Sequence, residues 1–283
     1  MAQLGALAFR RRGIRAHALA ATEALLDHDA YAGACVIAVS QSGRSTDLLN
    51  AINILKPKNL VALTNTSGAP LCELANVCID IGAGAEVAVP ASKSVSATAA
   101  ILLWAAGLLS DKTTRSASSL IETARDVRYW LDGPGVDEVR AAAVDIARCR
   151  SVVIVASDYG VPIANEFALK LKEASYIHAE GFAAGEFRHG SAAMLDSSCA
   201  IIGIVDSASR VIVARPMTGA VKAGSLRYVI GEPLEDIPLL GPSVAESFNA
   251  LAWLVAAQVV SLQVGRARFV DSDAPRGLSK FLT

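Results

Sequence analysis

Short, unbroken apolar runs that stop abruptly at small polar residues constrain this chain more than any other feature. Cys35-Val36-Ile37-Ala38-Val39 ends in a Ser/Gly loop, and residues 47–55 follow with helical periodicity. Residues 60–64 close on Asn65-Thr66-Ser67-Gly68, and residues 77–81 make a third such run. Strands without polar alternation are buried on both faces, and strands alternating with helices form parallel sheets covered on both sides. A helix over about 93–109 completes this half. A polar connection over 110–119 and an amphipathic helix then lead to Asp132-Gly133-Pro134-Gly135, where the chain punctuates. The second half repeats the scheme, with strands expected at 151–155, 200–205 and 226–230. Pro162 opens a helix in its first turn, 248–264 is a long apolar helix, and 206–227 carries little helical pattern. The expected fold is α/β: two tandem units, 1–132 and 133–283, with ligands beyond the carboxyl ends of the strands.

Composition narrows the partners. With 53% hydrophobic and 19% charged residues over 283 positions, the chain can bury a sizeable core. A formal net charge of −1 supplies no field for nucleic acid or an anionic membrane, and Arg10-Arg11-Arg12 reads as a solvated helix face. The apolar run 97–109 falls short of the about 20 residues that span a bilayer. No apolar stretch follows a basic N-terminus in signal-peptide fashion. The five cysteines, Cys35, Cys72, Cys78, Cys149 and Cys199, form no C-x-x-C pair and are expected as reduced, buried thiols of a cytoplasmic protein.

Two constellations carry chemistry. In Ser40-Gln41-Ser42-Gly43-Arg44-Ser45, three hydroxyls and the first-turn amides of the next helix can donate to a phosphate. Gly43 permits close backbone approach, and Arg44 adds a charge. The same residues also fit an ordinary Ser-rich turn with a helix cap. In the second half, Glu166, Lys170 and Glu173 stand at i, i+4 and i+7 on one helix face, with Lys172 pointing elsewhere. A carboxylate paired with a lysine beside Leu169, Leu171 and Ala174 is a candidate base. His178 and His189 are candidates for proton shuttling. A surface ion pair with two capped histidines is the alternative.

Residues 168–180, with Lys170, Glu173 and His178, and Ala184-Gly185-Glu186-Phe187-Arg188-His189-Gly190 together resemble the signature of the tandem sugar-isomerase (SIS) domain family. Ser40-Gln41-Ser42-Gly43 resembles that family's phosphate loop, Glu86 with Ala91-Ser92-Lys93 its following segment, and 275–280 its P-x-x-L-x-K tail. The resemblance implies two three-layer αβα, flavodoxin-like SIS domains and a phosphorylated (amino) sugar as substrate. Ser40, Gln41, Ser42 and Ser45 would hold the sugar phosphate, with Val89 among the substrate-binding residues. Glu173 would move a proton between C1 and C2 with Lys170 in support, His189 from a neighbouring subunit would assist ring opening, and Lys280 would contact the sugar. It further implies a homodimer with shared sites and no metal or organic cofactor.

The family includes the isomerase half of glucosamine-6-phosphate synthase and a SIS-type glucosamine-6-phosphate deaminase. Arg44-Ser45, Ala91-Ser92-Lys93-Ser94 and Gly277-Leu278 resemble the deaminase, and Ala2 rather than a cysteine after Met1 reads as the lack of a glutaminase domain to supply ammonia. The expected reaction is deamination of glucosamine 6-phosphate to fructose 6-phosphate and ammonia. A synthase-type isomerase domain, a non-catalytic phosphosugar regulator and an inactive fragment are the alternatives. Against the family pattern, the chain opens inside the first helix, implying a first sheet short of one strand and a reading frame that starts upstream. Ala156-Ser157-Asp158 replaces a Gly-Arg-Gly turn, Ser191 replaces a proline, and 206–227 is short.

Overall fold

A computed structural model describes residues 1–26, 28–31, 33–109, 113–242 and 248–280. They form two compact units, Met1–Val87 with Ala91–Leu109 and Ser279–Thr283, and Ala88–Pro90 with Ser110–Leu278. The expected boundary at 132–133 falls within the second unit.

In the first unit, strands β1 (Cys35–Val39), β2 (Asn59–Thr64) and β3 (Val77–Asp80) pair in parallel in that order. Parallel neighbours need crossovers, supplied here by α3 (Thr46–Leu55) and the single turn α4 (Pro70–Leu74). Alternation along β2 sends Leu60 and Ala62 to one face, where they pack with Ile52 of α3 and Leu71 of α4. Leu63 goes to the other face with Leu102 of α5 (Lys93–Leu108), against which α1 (Ala2–Arg10) also lies. A short helix, α2 (Ala21–Leu26), rests on α3. The layers are therefore α, β and α, yet only β2 is covered on both sides. Ile37 on β1 is 38% exposed and all four residues of β3 are exposed. This corrects the expectation of fully buried strands: with three strands, two are edges, and an edge strand lacks a lateral neighbour.

The second unit holds β4 (Ser151–Ala156), β5 (His178–Ala183), β6 (Cys199–Val205) and β7 (Leu226–Gly231), all parallel, in the order β5-β4-β6-β7. Every residue of β4 and β6 is buried. One face packs Val153, Val155, Ile201 and Val229 against Phe187 of α9 (Ala184–Phe187) and Val213, Met217 and Ala220 of α10 (Arg210–Ala223). The other face carries α8 (Gly160–Ser175), onto which α11 (Asn249–Ala267) and then α7 (Gly135–Arg148) pack. α11 has the length and apolarity of a membrane span, but 67% of it is buried, as in a core helix.

Three local expectations need correction. α10 occupies a stretch expected to lack helical pattern. Its buried stripe Val213, Pro216, Met217, Ala220 has helical spacing, interrupted to the eye by the proline. α6 (Thr113–Leu131) begins within the stretch expected as a polar connection, whose residues 110–112 lie outside the described residues. Finally, Cys72 on α4 and Cys78 on β3 form a disulfide with Cα atoms 5.1 Å apart, and Cys35 is exposed, so only Cys149 and Cys199 are the buried free thiols expected. One turn of helix folding straight back into a strand creates a proximity that spacing alone does not reveal.

Candidate functional site

The loop after β1 sits at the carboxyl edge of the first sheet and feeds α3. Ser40 Oγ accepts the Gly43 N–H at 3.1 Å, and Ser42 Oγ accepts the Arg44 N–H at 3.2 Å. Both hydroxyls are thereby fixed as acceptors, with their own protons left to donate outward. Ser45 occupies the N-cap position of α3 without a side-chain capping bond, so its hydroxyl is not spent on the helix. Gly43 has φ +62°, and a Cβ there would lie 2.5 Å from Ala69 Cβ and 3.0 Å from Thr64 Oγ1. Only glycine lets the loop pass this close to the start of α4. Gln41 is held through its carbonyl by the Asn65 N–H at 2.9 Å and the Thr64 hydroxyl at 3.2 Å. Arg44 is exposed at the rim. Hydroxyls, orphan amides and the positive end of a ten-residue helix thus converge where an anion is best accommodated.

Also in the first unit, Glu86 reaches back to the start of α5. Its Oε2 accepts the Ser94 hydroxyl at 2.6 Å, the Ser94 N–H at 2.7 Å and the Ser92 N–H at 3.2 Å. Burial alone pushes its carboxyl up, but these donors and the Lys280 ammonium outweigh burial and hold it below its ordinary value. Lys93 donates to the Ala85 carbonyl and so closes the 85–93 loop. The carboxylate takes the place a ligand anion would need at the α5 N-terminus. The loop after β1 is therefore the better anion site of the two.

In the second unit, α8 presents Glu166, Lys170 and Glu173 on one face, as their spacing requires. Lys170 Nζ lies 2.6 Å from Glu173 Oε2 and 3.5 Å from Glu166 Oε1, and Lys170 is only 6% exposed. Among the described residues, Glu166 Oε1 is buried with no hydrogen-bond partner beyond that ion-pair contact. Leu171 and Ala174 are buried beside the pair, whereas Leu169, expected to join them, is 42% exposed. Lys172 is exposed, as expected. One positional expectation is corrected here. α8 links two parallel strands, so it runs antiparallel to them, and Glu173 near its end lies toward the amino edge of the sheet rather than the carboxyl edge.

The end of α8 also anchors the C-terminal tail. Tyr176, in the left-handed conformation at φ 56°, accepts the Arg276 N–H at its Oη at 2.6 Å and stacks under the guanidinium at 4.4 Å. Ser272 donates to the Ala174 carbonyl at 3.1 Å. The tail is thus pinned three residues from Glu173 in sequence, and Lys280 follows four residues after Arg276. Sequence reading passed over Tyr176 and Arg276, because a contact across 100 residues leaves no local trace. Val89 is partly buried and spends its N–H on the Asp273 carbonyl at 2.9 Å, leaving its side chain and carbonyl for other contacts. His189 is exposed just beyond α9 and makes no ion pair with Glu173 among the described residues. His178 pairs instead with Glu180 at 3.5 Å on the edge strand β5.

The SIS domain model matches residues 1–108 and 145–212. A glutamine–fructose-6-phosphate aminotransferase (isomerizing) of Mycolicibacterium smegmatis is 33% identical over 268 residues, covering 88% of this chain and 43% of the relative. The chain spans less than half the length of that relative. The C-terminal domain of glucosamine-fructose-6-phosphate aminotransferase from Francisella tularensis superimposes with a TM-score of 0.81 at 18% identity, over 97% of this chain and 83% of that one. A glucosamine-6-phosphate deaminase from Thermotoga maritima gives 0.79 at 20% identity, over 98% and 85%. The chain belongs to the SIS domain family.

Proposed function

We propose that this SIS-family chain is a sugar-phosphate isomerase acting on a 6-phosphorylated amino sugar in the cytoplasm, as a homodimer. The observation that carries the reading is the contact of the buried Lys170 with the partly buried Glu173, 2.6 Å apart. A module that only senses a phosphosugar needs the serine loop; it does not need a carboxylate and an ammonium held in contact against apolar neighbours. Ser40, Gln41, Ser42 and Ser45 take the phosphate, and Val89 lines the sugar. His189 of a second subunit assists ring opening, and Lys280 approaches the open-chain sugar.

In the open-chain form the C1 carbonyl acidifies the C2–H bond. Glu173 removes that proton, leaving an enolamine between C1 and C2, and Lys170 offsets the charge that develops. Returning the proton to C1 gives a C2 imine. Water adds to the imine and ammonia leaves, yielding fructose 6-phosphate. Arg44-Ser45 in the loop, Ala91-Ser92-Lys93-Ser94 and Gly277 favour this ammonia-releasing direction. A second reading, an aminotransferase-type isomerase domain, is favoured by the name of the M. smegmatis relative. A coupled assay for ammonia and fructose 6-phosphate on the purified chain separates the two. Release of both from glucosamine 6-phosphate is expected. Isomerisation between fructose and glucose 6-phosphates without ammonia release would favour the second reading, and neither activity would sink the enzymatic one.

A further inference from the structure

The Cys72–Cys78 disulfide lies in the element that forms the floor of the anion loop. α4 is a single turn of five residues, too short to hold itself by backbone bonds alone. Its position is set by three attachments. The Leu71 side chain is fully buried in the core below. The Leu71 N–H donates to the Gly43 carbonyl at 3.2 Å. Cys72 is cross-linked to Cys78 on β3. The far end of the connection is a fixed post, because Asn76 bonds Leu60 in both directions, at 2.7 Å and 2.9 Å. Ala69, one residue before α4, fills the space that any side chain at position 43 would need. Movement of α4 therefore passes directly into the backbone of the loop at Gly43.

Neither cysteine is sealed in the core: Cys78 is exposed and Cys72 is half-buried. We propose that Cys72 and Cys78 form a redox modification site, a dithiol–disulfide pair whose oxidised form holds α4 against the anion loop and whose reduction by an external dithiol loosens phosphate binding. A thiolate of the reductant attacks Cys78 Sγ, the S–S bond breaks, and Cys72 leaves as a thiolate that takes a proton. The reductant's second thiolate then displaces Cys78, which is protonated in turn, and the reductant closes its own disulfide. Two electrons and two protons pass to the protein. The link to binding rests on the loop being the phosphate site; the cross-link itself does not.

Thiol counting in denaturant checks the pair first. Oxidised protein should show three free thiols, Cys35, Cys149 and Cys199, and dithiol-treated protein two more. Calorimetry with glucitol 6-phosphate, which has no carbonyl to isomerise, then reads the loop in both states of the full chain. Reduction should weaken binding by about threefold to tenfold, the scale of ordering one short segment. The Cys72→Ser/Cys78→Ser double variant should match reduced protein under both conditions, and Cys35→Ser should follow wild type. Equal affinity in both states overturns the inference while leaving the phosphosugar reading standing. Five thiols after oxidation, or a disulfide that native protein will not yield to a dithiol, also overturns it. Binding in neither state overturns the phosphosugar reading, and the inference falls with it.

Discussion

The first unit places the loop proposed for the phosphate at the carboxyl edge of its sheet, directly after β1, whereas the second carries Lys170 and Glu173 on the returning helix, toward the amino edge. The cores differ as well. Cys35-Val36-Ile37-Ala38-Val39 and Ser151-Val152-Val153-Ile154-Val155 are near-equivalent as sequences, but the first is an edge strand with exposed positions and the second is buried throughout. Place in the sheet, not composition, decides burial. The contrast also fits a division of labour. Loop hydroxyls and amides need solvent-facing ends of strands to meet an anion, while a carboxylate and its lysine are held in fixed geometry by packing on a rigid, well-covered helix.

Substitution at each edge separates binding from chemistry. Glu173→Gln should cost about a thousandfold in kcat and leave glucitol 6-phosphate binding within about threefold, since it removes a proton acceptor without changing shape. Ser42→Ala should act in the opposite way, weakening binding by about tenfold with a much smaller change in kcat, since one phosphate donor is lost. Steady-state kinetics with calorimetry reads both. A loss of kcat for Ser42→Ala as large as that for Glu173→Gln would erase the distinction between the edges.

The burial contrast is sharpened by truncating matched strand residues. Ile154→Ala should destabilise the chain by about 2–5 kcal/mol in urea unfolding, because Ile154 is fully buried. Ile37→Ala should cost less than about 1 kcal/mol, because Ile37 is partly solvated already. A cost at Ile37 equal to that at Ile154 would mean that β1 is covered in solution.

A further effect, confined to alkali, is expected in the second unit. Burial, with Cys199 and Asp145 nearby, pushes the Cys149 thiol up to about 11. Its folded value is raised above the about 8.5 of an unfolded cysteine. The neutral thiol's contribution is therefore complete below about pH 8.5 and is lost as pH rises through its folded value. The urea midpoint of wild type should decline above about pH 8.5, and Cys149→Ala should flatten the decline. Identical profiles for the two proteins would show that Cys149 takes no part.

Legibility followed the same contrast. The strand runs at 35–39, 60–64, 151–155 and 200–205 were visible because β-branched residues cluster between small polar stops. β5 was not, because on this edge strand His178 and Glu180 are exposed and only the small Ala179 is buried, which leaves no apolar run. The face shared by Glu166, Lys170 and Glu173 was legible from helical spacing. Its position at the amino edge follows only once β4 and β5 are known to be parallel neighbours. The Cys72–Cys78 bond and the Tyr176–Arg276 clasp were illegible, since both depend on where the chain turns back in space.

The most direct test of the account is solvent exchange at the sugar. Glucosamine 6-phosphate and fructose 6-phosphate incubated with the chain in deuterated water should gain deuterium at C2 and C1, read by proton NMR, and Glu173→Gln should abolish that gain. This holds whichever way the amino group moves, because the proton shuttle precedes any fate of the nitrogen. Tight phosphosugar binding with no deuterium at either carbon would contradict the account and leave a binding module in its place.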